Sequence, residues 1–200
     1  MNTRILLLTT LCALGVACAD DKTKTNAKTD KTMESDKPVV VKTDAEWRKK
    51  LTDEQFRVTR EKGTERPYGV AYEEFDKQGE GAYHCVCCGV ELFTSNEKFH
   101  SGCGWPSFYD QSKAKNVLET VDADGQRIEV TCKRCGAHLG HVFDKEGFKT
   151  PTNRRFCING VALKHVPKGG VAPKLEDVTS DAVQKKKADV AKEGGVETRK

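Results

Sequence analysis

The chain holds no block of lysine and arginine interleaved with aromatics. Its 34 basic and 30 acidic residues are intermixed, for a formal net charge of +4. That pattern describes a solvated surface and gives nucleic-acid binding no electrostatic support. No apolar run is long enough to anchor stably across a bilayer; the longest, Ile5 to Val16, is too short. There is no βαβ pattern, so a thioredoxin-like oxidoreductase with one C-x-x-C as its redox pair is disfavoured. There is no internal repeat beyond one pair of short motifs, described below. Nothing in the sequence points to an oligomer, so a monomer is expected.

At 200 residues the chain has room for one domain plus tails. Residues 1–19 read as an export signal. Arg4 supplies the positive start, Ile5 to Val16 the apolar stretch, and Ala17-Cys18-Ala19 a cleavage site. Leu14-Gly15-Val16-Ala17-Cys18 reads alternatively as a lipobox with Cys18 acylated. Either reading places the mature protein outside the cytoplasm, periplasmic or held to the membrane as a lipoprotein. Residues 20–40 are Lys, Thr and Asp with few apolar groups, a disordered tether. Residues 169–200 are a similar charged tail, with at most a frayed helix over Lys174–Lys192. The folded domain is expected over 41–168.

What the chain does have is cysteine. Of its nine, Cys12 and Cys18 fall in the leader. Cys85-Val86-Cys87-Cys88-Gly89 and Cys132-Lys133-Arg134-Cys135-Gly136 share one pattern: Cys, two residues, Cys, Gly. Two such knuckles present four thiolates to a tetrahedral structural zinc, with Cys85, Cys88, Cys132 and Cys135 as ligands. The alternative is a pair of disulfides, since export permits them. Loops that short make strained disulfides, so Zn2+ is preferred. Cys87 lies off the ligand positions and reads as a bystander. Cys103 and Cys157 have no metal to bind and become the candidates for chemistry.

The domain begins with helical sequence. Thr43 or Asp44 can cap Ala45 to Leu51, and Thr52 to Gln55 has capping-box form for a helix to about Lys62, stopped by Gly63. Trp47, Leu51, Phe56 and Val58 are its core contributors. Short strand-like runs follow at 81–85, 91–95, 116–122, 127–131, 141–143, 155–159 and 162–167, with Asp124-Gly125 marking a hairpin. The fold class is mainly β, antiparallel, with a small helical prefix and a four-cysteine zinc site.

Strand alternation puts Arg155, Cys157 and Asn159 on one face: a cation, a nucleophile and an amide able to orient a ligand. A lone buried apolar thiol is the competing reading for Cys157. His138-Leu139-Gly140-His141 offers two imidazoles in a turn, able to protonate a leaving oxygen; a surface pair or extra metal ligands are the alternatives. His84, His100 and His165 read as surface or packing residues. Cys103 sits between glycines in Ser101 to Phe108, accessible and adjustable, as a resolving thiol must be. Trp105 and Phe108 are candidate substrate contacts, forming an apolar wall, or are core; the wall suits Trp105 and the core suits Phe108.

SGCGWPSF at 101–108, HLGHVF at 138–143 and RFCING at 155–160, set among the two knuckles, resemble the B-type methionine-R-sulfoxide reductases. The prefix at 47–67 is similar too. The resemblance spans the domain and implies two antiparallel sheets in a β-tent (Mss4-like) arrangement, with zinc at the end away from the site. It implies Cys157 as nucleophile on the sulfoxide sulfur of methionine-R-sulfoxide in oxidised proteins, or free. His141, helped by His138, protonates the oxygen. Cys103 then closes a disulfide with Cys157, which a thioredoxin-like reductant reopens. Trp105 receives the S-methyl group, and Asn159 and Arg155 support the site. Three departures stand out: Asp144 to Gly147 where Asp-Gly-Pro is common, leaving Asp144 or Glu146 as the acid; Phe156 where Tyr is common; and Asn153 where Gly is usual.

Overall fold

Two capping boxes open the fold. In α1 (Asp44–Arg48) the Thr43 side chain accepts the Glu46 N–H, and the Glu46 carboxylate accepts the Thr43 N–H. In α2 (Asp53–Arg60) Thr52 and Gln55 repeat the exchange. Each box satisfies donors that a helix start leaves without partners. Trp47, Leu51, Phe56 and Val58 are all buried, as their spacing predicts. The computed structural model describes residues 38–123 and 125–176. The leader, most of the tether, Asp124 of the expected hairpin and the tail past 176 lie outside these residues. Helix α2 stops at Arg60, and the left-handed residue that turns the chain is Lys62 (φ 56°), not Gly63.

A third helix, α3 (Val70–Lys77), was not expected from the sequence; Phe75 is its one buried residue. Eight strands follow: β1 (Gly81–Cys85), β2 (Glu91–Thr94), β3 (Ser107–Phe108), β4 (Val117–Val121), β5 (Ile128–Cys132), β6 (His138–Asp144), β7 (Arg154–Ile158) and β8 (Leu163–Pro167). They form two antiparallel sheets, ordered β2-β1-β8 and β3-β7-β6-β5-β4. Strand β6 begins at His138, so HLGHVF is extended strand rather than a turn.

Aromatic rings join the sheets. Phe108 of β3 stacks on Phe93 of β2 with centroids 4.3 Å apart, and meets Tyr83 of β1 edge-on at 5.1 Å. Phe93 also meets Phe156 of β7 at 5.8 Å. Such contacts add to the burial of apolar area that drives packing. Phe108 is fully buried here, which removes it from the candidate substrate contacts. Asn153 takes φ 51°, the conformation its place before β7 demands and one that Asn tolerates.

Ordered structure extends past both expected domain limits. The N–H groups of Val39 and Val40 both donate to Arg134 O at 2.9 Å, and Val40 is buried. At the other end the Glu176 N–H donates to Cys88 O at 3.1 Å, and its carboxylate pairs with Lys42 and Lys50. Both flanks therefore rest on the cysteine knuckles.

Candidate active site

Strand β7 carries the thiol and β6 carries the imidazole. Their register sets Cys157 opposite His141 and Ile158 opposite Gly140. The strands approach closely at Gly140, where an added Cβ would stand 2.1 Å from the Cys157 carbonyl oxygen. A side chain there would displace the strand that carries the nucleophile. Cys157 and His141 open onto a cavity of about 180 Å³, walled by Trp105 and Phe143 and edged by Thr64 and Arg127. A larger groove of about 430 Å³ runs along β1 and β8 and contains none of these groups.

Cys103 meets Cys157 from the 101–108 loop, with 3.8 Å between the sulfurs. Both thiols are partly exposed. A disulfide needs about 2.05 Å, so closure takes a short movement of one loop. Ser101 Oγ donates to Cys103 Sγ at 3.0 Å, and Arg155 Nη1 donates to it at 3.3 Å. The hydrogen bond from Cys157, with the hydroxyls of Ser101 and Ser107, pulls the Cys103 thiol down to about 4. That same hydrogen bond and burial push the Cys157 thiol up. Arg155 opposes that rise and favours the anion on either sulfur. Glu146 grips Arg155 at both ends, Nε to Oε2 at 2.7 Å and Nη2 to Oε1 at 2.8 Å. Asp144 pairs instead with Arg154, at 2.9 Å. Glu146, not Asp144, is thus the carboxylate that holds the guanidinium beside the thiols.

His141 Nε2 lies 3.0 Å from Asp122 Oδ2, which also accepts from Arg127 Nη2 at 2.7 Å. His138 does not line the cavity. It is buried, its Nδ1 2.8 Å from Glu129 Oε1, and its ring meets His141 edge-on at 5.4 Å. Glu129 in turn holds Lys62 Nζ at 2.7 Å. Burial holds the His138 pKa below the ordinary imidazole value despite that carboxylate. His138 thus packs its ring against His141 from outside the cavity lining.

Asn159 is also committed to the protein. Its Oδ1 accepts the Glu65 N–H at 3.0 Å, and its Nδ2 donates to Leu139 O at 2.9 Å. Glu65 is a node missed from the sequence. Its carbonyl accepts the Trp105 indole N–H at 3.2 Å, and its carboxylate accepts the N–H groups of Gly160 and Val161. Burial nevertheless raises the Glu65 carboxyl above its usual range. No sequence motif marks Glu65, Asp122 or Glu129 as partners of residues so far along the chain.

The four knuckle cysteines lie elsewhere on the fold. Cys85 ends β1 and Cys132 ends β5, one from each sheet. Gly89 (φ 78°) and Gly136 (φ 68°) close matching turns, each N–H donating at 2.8 Å to the first cysteine's carbonyl. The four buried sulfurs lie within 4.8 Å of one another, with cross-knuckle separations of 3.7 Å for Cys85–Cys135 and 3.6 Å for Cys88–Cys132. A tetrahedral ion with metal–sulfur bonds of about 2.3 Å needs sulfurs roughly 3.8 Å apart, close to the two cross-knuckle separations, so the set suits one. Cys87 is buried beside it and donates to Thr59 Oγ1 at 3.3 Å.

A thiol and an imidazole open to an aromatic-walled cavity, with a second thiol and a guanidinium beside them, are groups equipped for redox chemistry. Residues 51–167 match the family model described as the SelR domain. Peptide methionine sulfoxide reductase B5 of Oryza sativa is 50% identical over 126 residues, covering 63% of this chain and 90% of that one. Peptide methionine sulfoxide reductase B3 of Arabidopsis thaliana is 52% identical over 128 residues, covering 64% and 71%. Peptide methionine sulfoxide reductase MsrB of Hahella chejuensis is 49% identical over 140 residues, covering 69% and 97%. The chain belongs to this family, the B-type peptide methionine sulfoxide reductases, and is an oxidoreductase.

Proposed function

We propose that this enzyme reduces methionine-R-sulfoxide in oxidised proteins through Cys157, with Cys103 resolving the product. The Cys157 thiolate attacks the sulfoxide sulfur, with Trp105 packing against the S-methyl group. His141 supplies a proton to the oxygen as the sulfur–oxygen double bond opens. The hydroxyl then passes to the Cys157 sulfur as the new sulfur–sulfur bond and the old sulfur–oxygen bond break, so methionine leaves and Cys157 is left as sulfenic acid. The Cys103 thiolate then attacks the Cys157 sulfur. The S–S bond forms, the S–O bond breaks, and the hydroxide leaves as water after taking a proton. A dithiol protein of thioredoxin type returns both cysteines to thiols, becoming a disulfide itself.

The observation that carries this reading is the pair of sulfurs 3.8 Å apart at the edge of the cavity that holds His141 and Trp105. A single-turnover assay with each sulfoxide epimer tests it. The R epimer should yield one methionine per chain, and Cys157→Ser should yield none. Equal turnover in Cys157→Ser and the parent chain refutes the mechanism.

Zinc is the proposed ion of the four-cysteine site: four thiolates suit it, and a closed site leaves no position for substrate. When bound it supplies no reaction step; the cysteines join the two sheets through it. Export, by cleavage or by acylation at Cys18, is the proposed fate of the leader, and a periplasmic or membrane-held location follows from it.

A further inference from the structure

Tyr68 stands in a left-handed backbone conformation, φ 55°. An aromatic residue rarely adopts it, and such strain persists only where surrounding contacts impose it. Core burial does not impose it here, because Tyr68 is 59% exposed. Contacts to the Cys103 loop do. The Tyr68 N–H donates to Gly104 O at 2.8 Å, and its hydroxyl donates to Gly102 O. Those two carbonyls flank Cys103. The ring lies against Gly104, where an added Cβ would come within 2.8 Å of two ring carbons. Tyr72 also meets the ring, edge-on with centroids 5.6 Å apart.

The loop itself needs such a hold. Gly102 (φ 75°) and Gly104 (φ 87°) give it the freedom of two residues without side chains. Yet the Cys103 sulfur stands only 3.8 Å from Cys157. Ser101 and Arg155 bond the thiol, but neither fixes the backbone on both sides of it.

We propose that Tyr68 is a positioning residue that latches the Cys103 loop and sets the rate of disulfide closure. This rests on the resolving role proposed for Cys103. Tyr68 is not among the residues that line the cavity, and its two bonds fall on the carbonyls either side of Cys103, so its effect falls on the second chemical step rather than the first. In that step the Cys103 thiolate displaces hydroxide from the Cys157 sulfenic acid. The oxidising equivalents come from the sulfoxide already reduced.

The test uses the full reduced chain, mixed with methionine-R-sulfoxide and quenched over time. Methionine release reports the first step. Mass analysis with a sulfenic-acid trap separates the sulfenic form from the Cys103–Cys157 disulfide. Tyr68→Phe removes only the hydroxyl, and Tyr68→Gly removes the ring and relieves the backbone. Methionine release should keep its parent rate. Disulfide closure should slow about three- to tenfold in Tyr68→Phe, the effect of one hydrogen bond, and further in Tyr68→Gly, with trapped sulfenic acid accumulating. Should Tyr68→Gly fail to fold, Tyr68→Phe decides alone. Closure at the parent rate overturns the latch, and so does an equal slowing of both steps, which a merely structural residue would give. Cys103→Ser runs in parallel. If it still closes an internal disulfide on Cys157, the resolving role of Cys103 fails and the latch with it; if it closes none, a normal rate in the Tyr68 variants defeats the latch alone.

Discussion

Glu146 holds Arg155 by two parallel hydrogen bonds, 2.7 and 2.8 Å, and so aims its third donor at the thiols. Bidentate pairs of this kind fix direction as well as charge. Glu146→Gln should loosen that aim and weaken stabilisation of the thiolate. The sign is simple: a depressed thiol pKa gives reactivity above it that is lost as pH falls through it. With less stabilisation the whole curve moves to higher pH, by about one unit, or roughly 1.4 kcal/mol. The rate of iodoacetamide labelling of Cys157 and Cys103 against pH measures it, and an unchanged profile contradicts the assignment.

Asp122 orients His141 from across the sheet at 3.0 Å. Asp122→Asn keeps the shape but removes the charge and lets the imidazole turn. Methionine formation in a single turnover should fall by about tenfold or more, within the range for a misplaced general acid. Disulfide closure of a pre-formed sulfenic acid should be unaffected. A fall in both steps would assign Asp122 to structure instead.

Gly140 is required by space. A methyl group 2.1 Å from the Cys157 carbonyl cannot fit without moving β7. Gly140→Ala should lower stability by about 1–3 kcal/mol, as overpacking does. It should also cost activity out of proportion to the unfolded fraction, because the nucleophile moves with its strand. Denaturant melts and single-turnover rates on the same sample separate the two losses.

The buried His138 makes stability sensitive to mild acid. Its folded pKa is lowered by burial, so below the unfolded value of about 6.5 the unfolded chain binds a proton that the native chain refuses. Stability must therefore fall as pH drops below that value. Glu129 adds to the loss further down: its carboxyl is held below the usual range, with bonds from Lys62 and His138 outweighing burial. His138→Asn should flatten the upper part of the decline in a series of melts, and a parallel curve would refute the assignment.

Removing metal should unfold the clamp before it touches the chemistry. Cys85→Ser or a strong chelator should lower the melting temperature by many degrees, since metal binding to four thiolates is folding energy. Metal analysis should find one zinc per chain, and a chain purified without metal that melts as before would refute the clamp.

Much of this protein is written in short range. The two knuckles, the two capping boxes and the flexible loop around Cys103 are local patterns, because turn geometry and helix starts are set by residues three or four apart. Each was legible, and subtracting four cysteines isolated Cys103 and Cys157. Helix α3 was not, since only Phe75 of its eight residues is buried and no apolar stripe marks it. HLGHVF reads as a turn for its glycine; only the nearness of β7 shows that Gly140 is there to let two strands touch. The pairings that tune the site were likewise hidden. Arg155 with Glu146, His141 with Asp122, His138 with Glu129, and Glu65 with Trp105 all join charged or polar groups across strands and loops. A carboxylate in a sequence of 30 acidic residues carries no sign of its partner. The residue types thus determined which chemistry this chain holds. The packing of two sheets decided which carboxylate faces which base, because that depends on distances that only the folded chain sets.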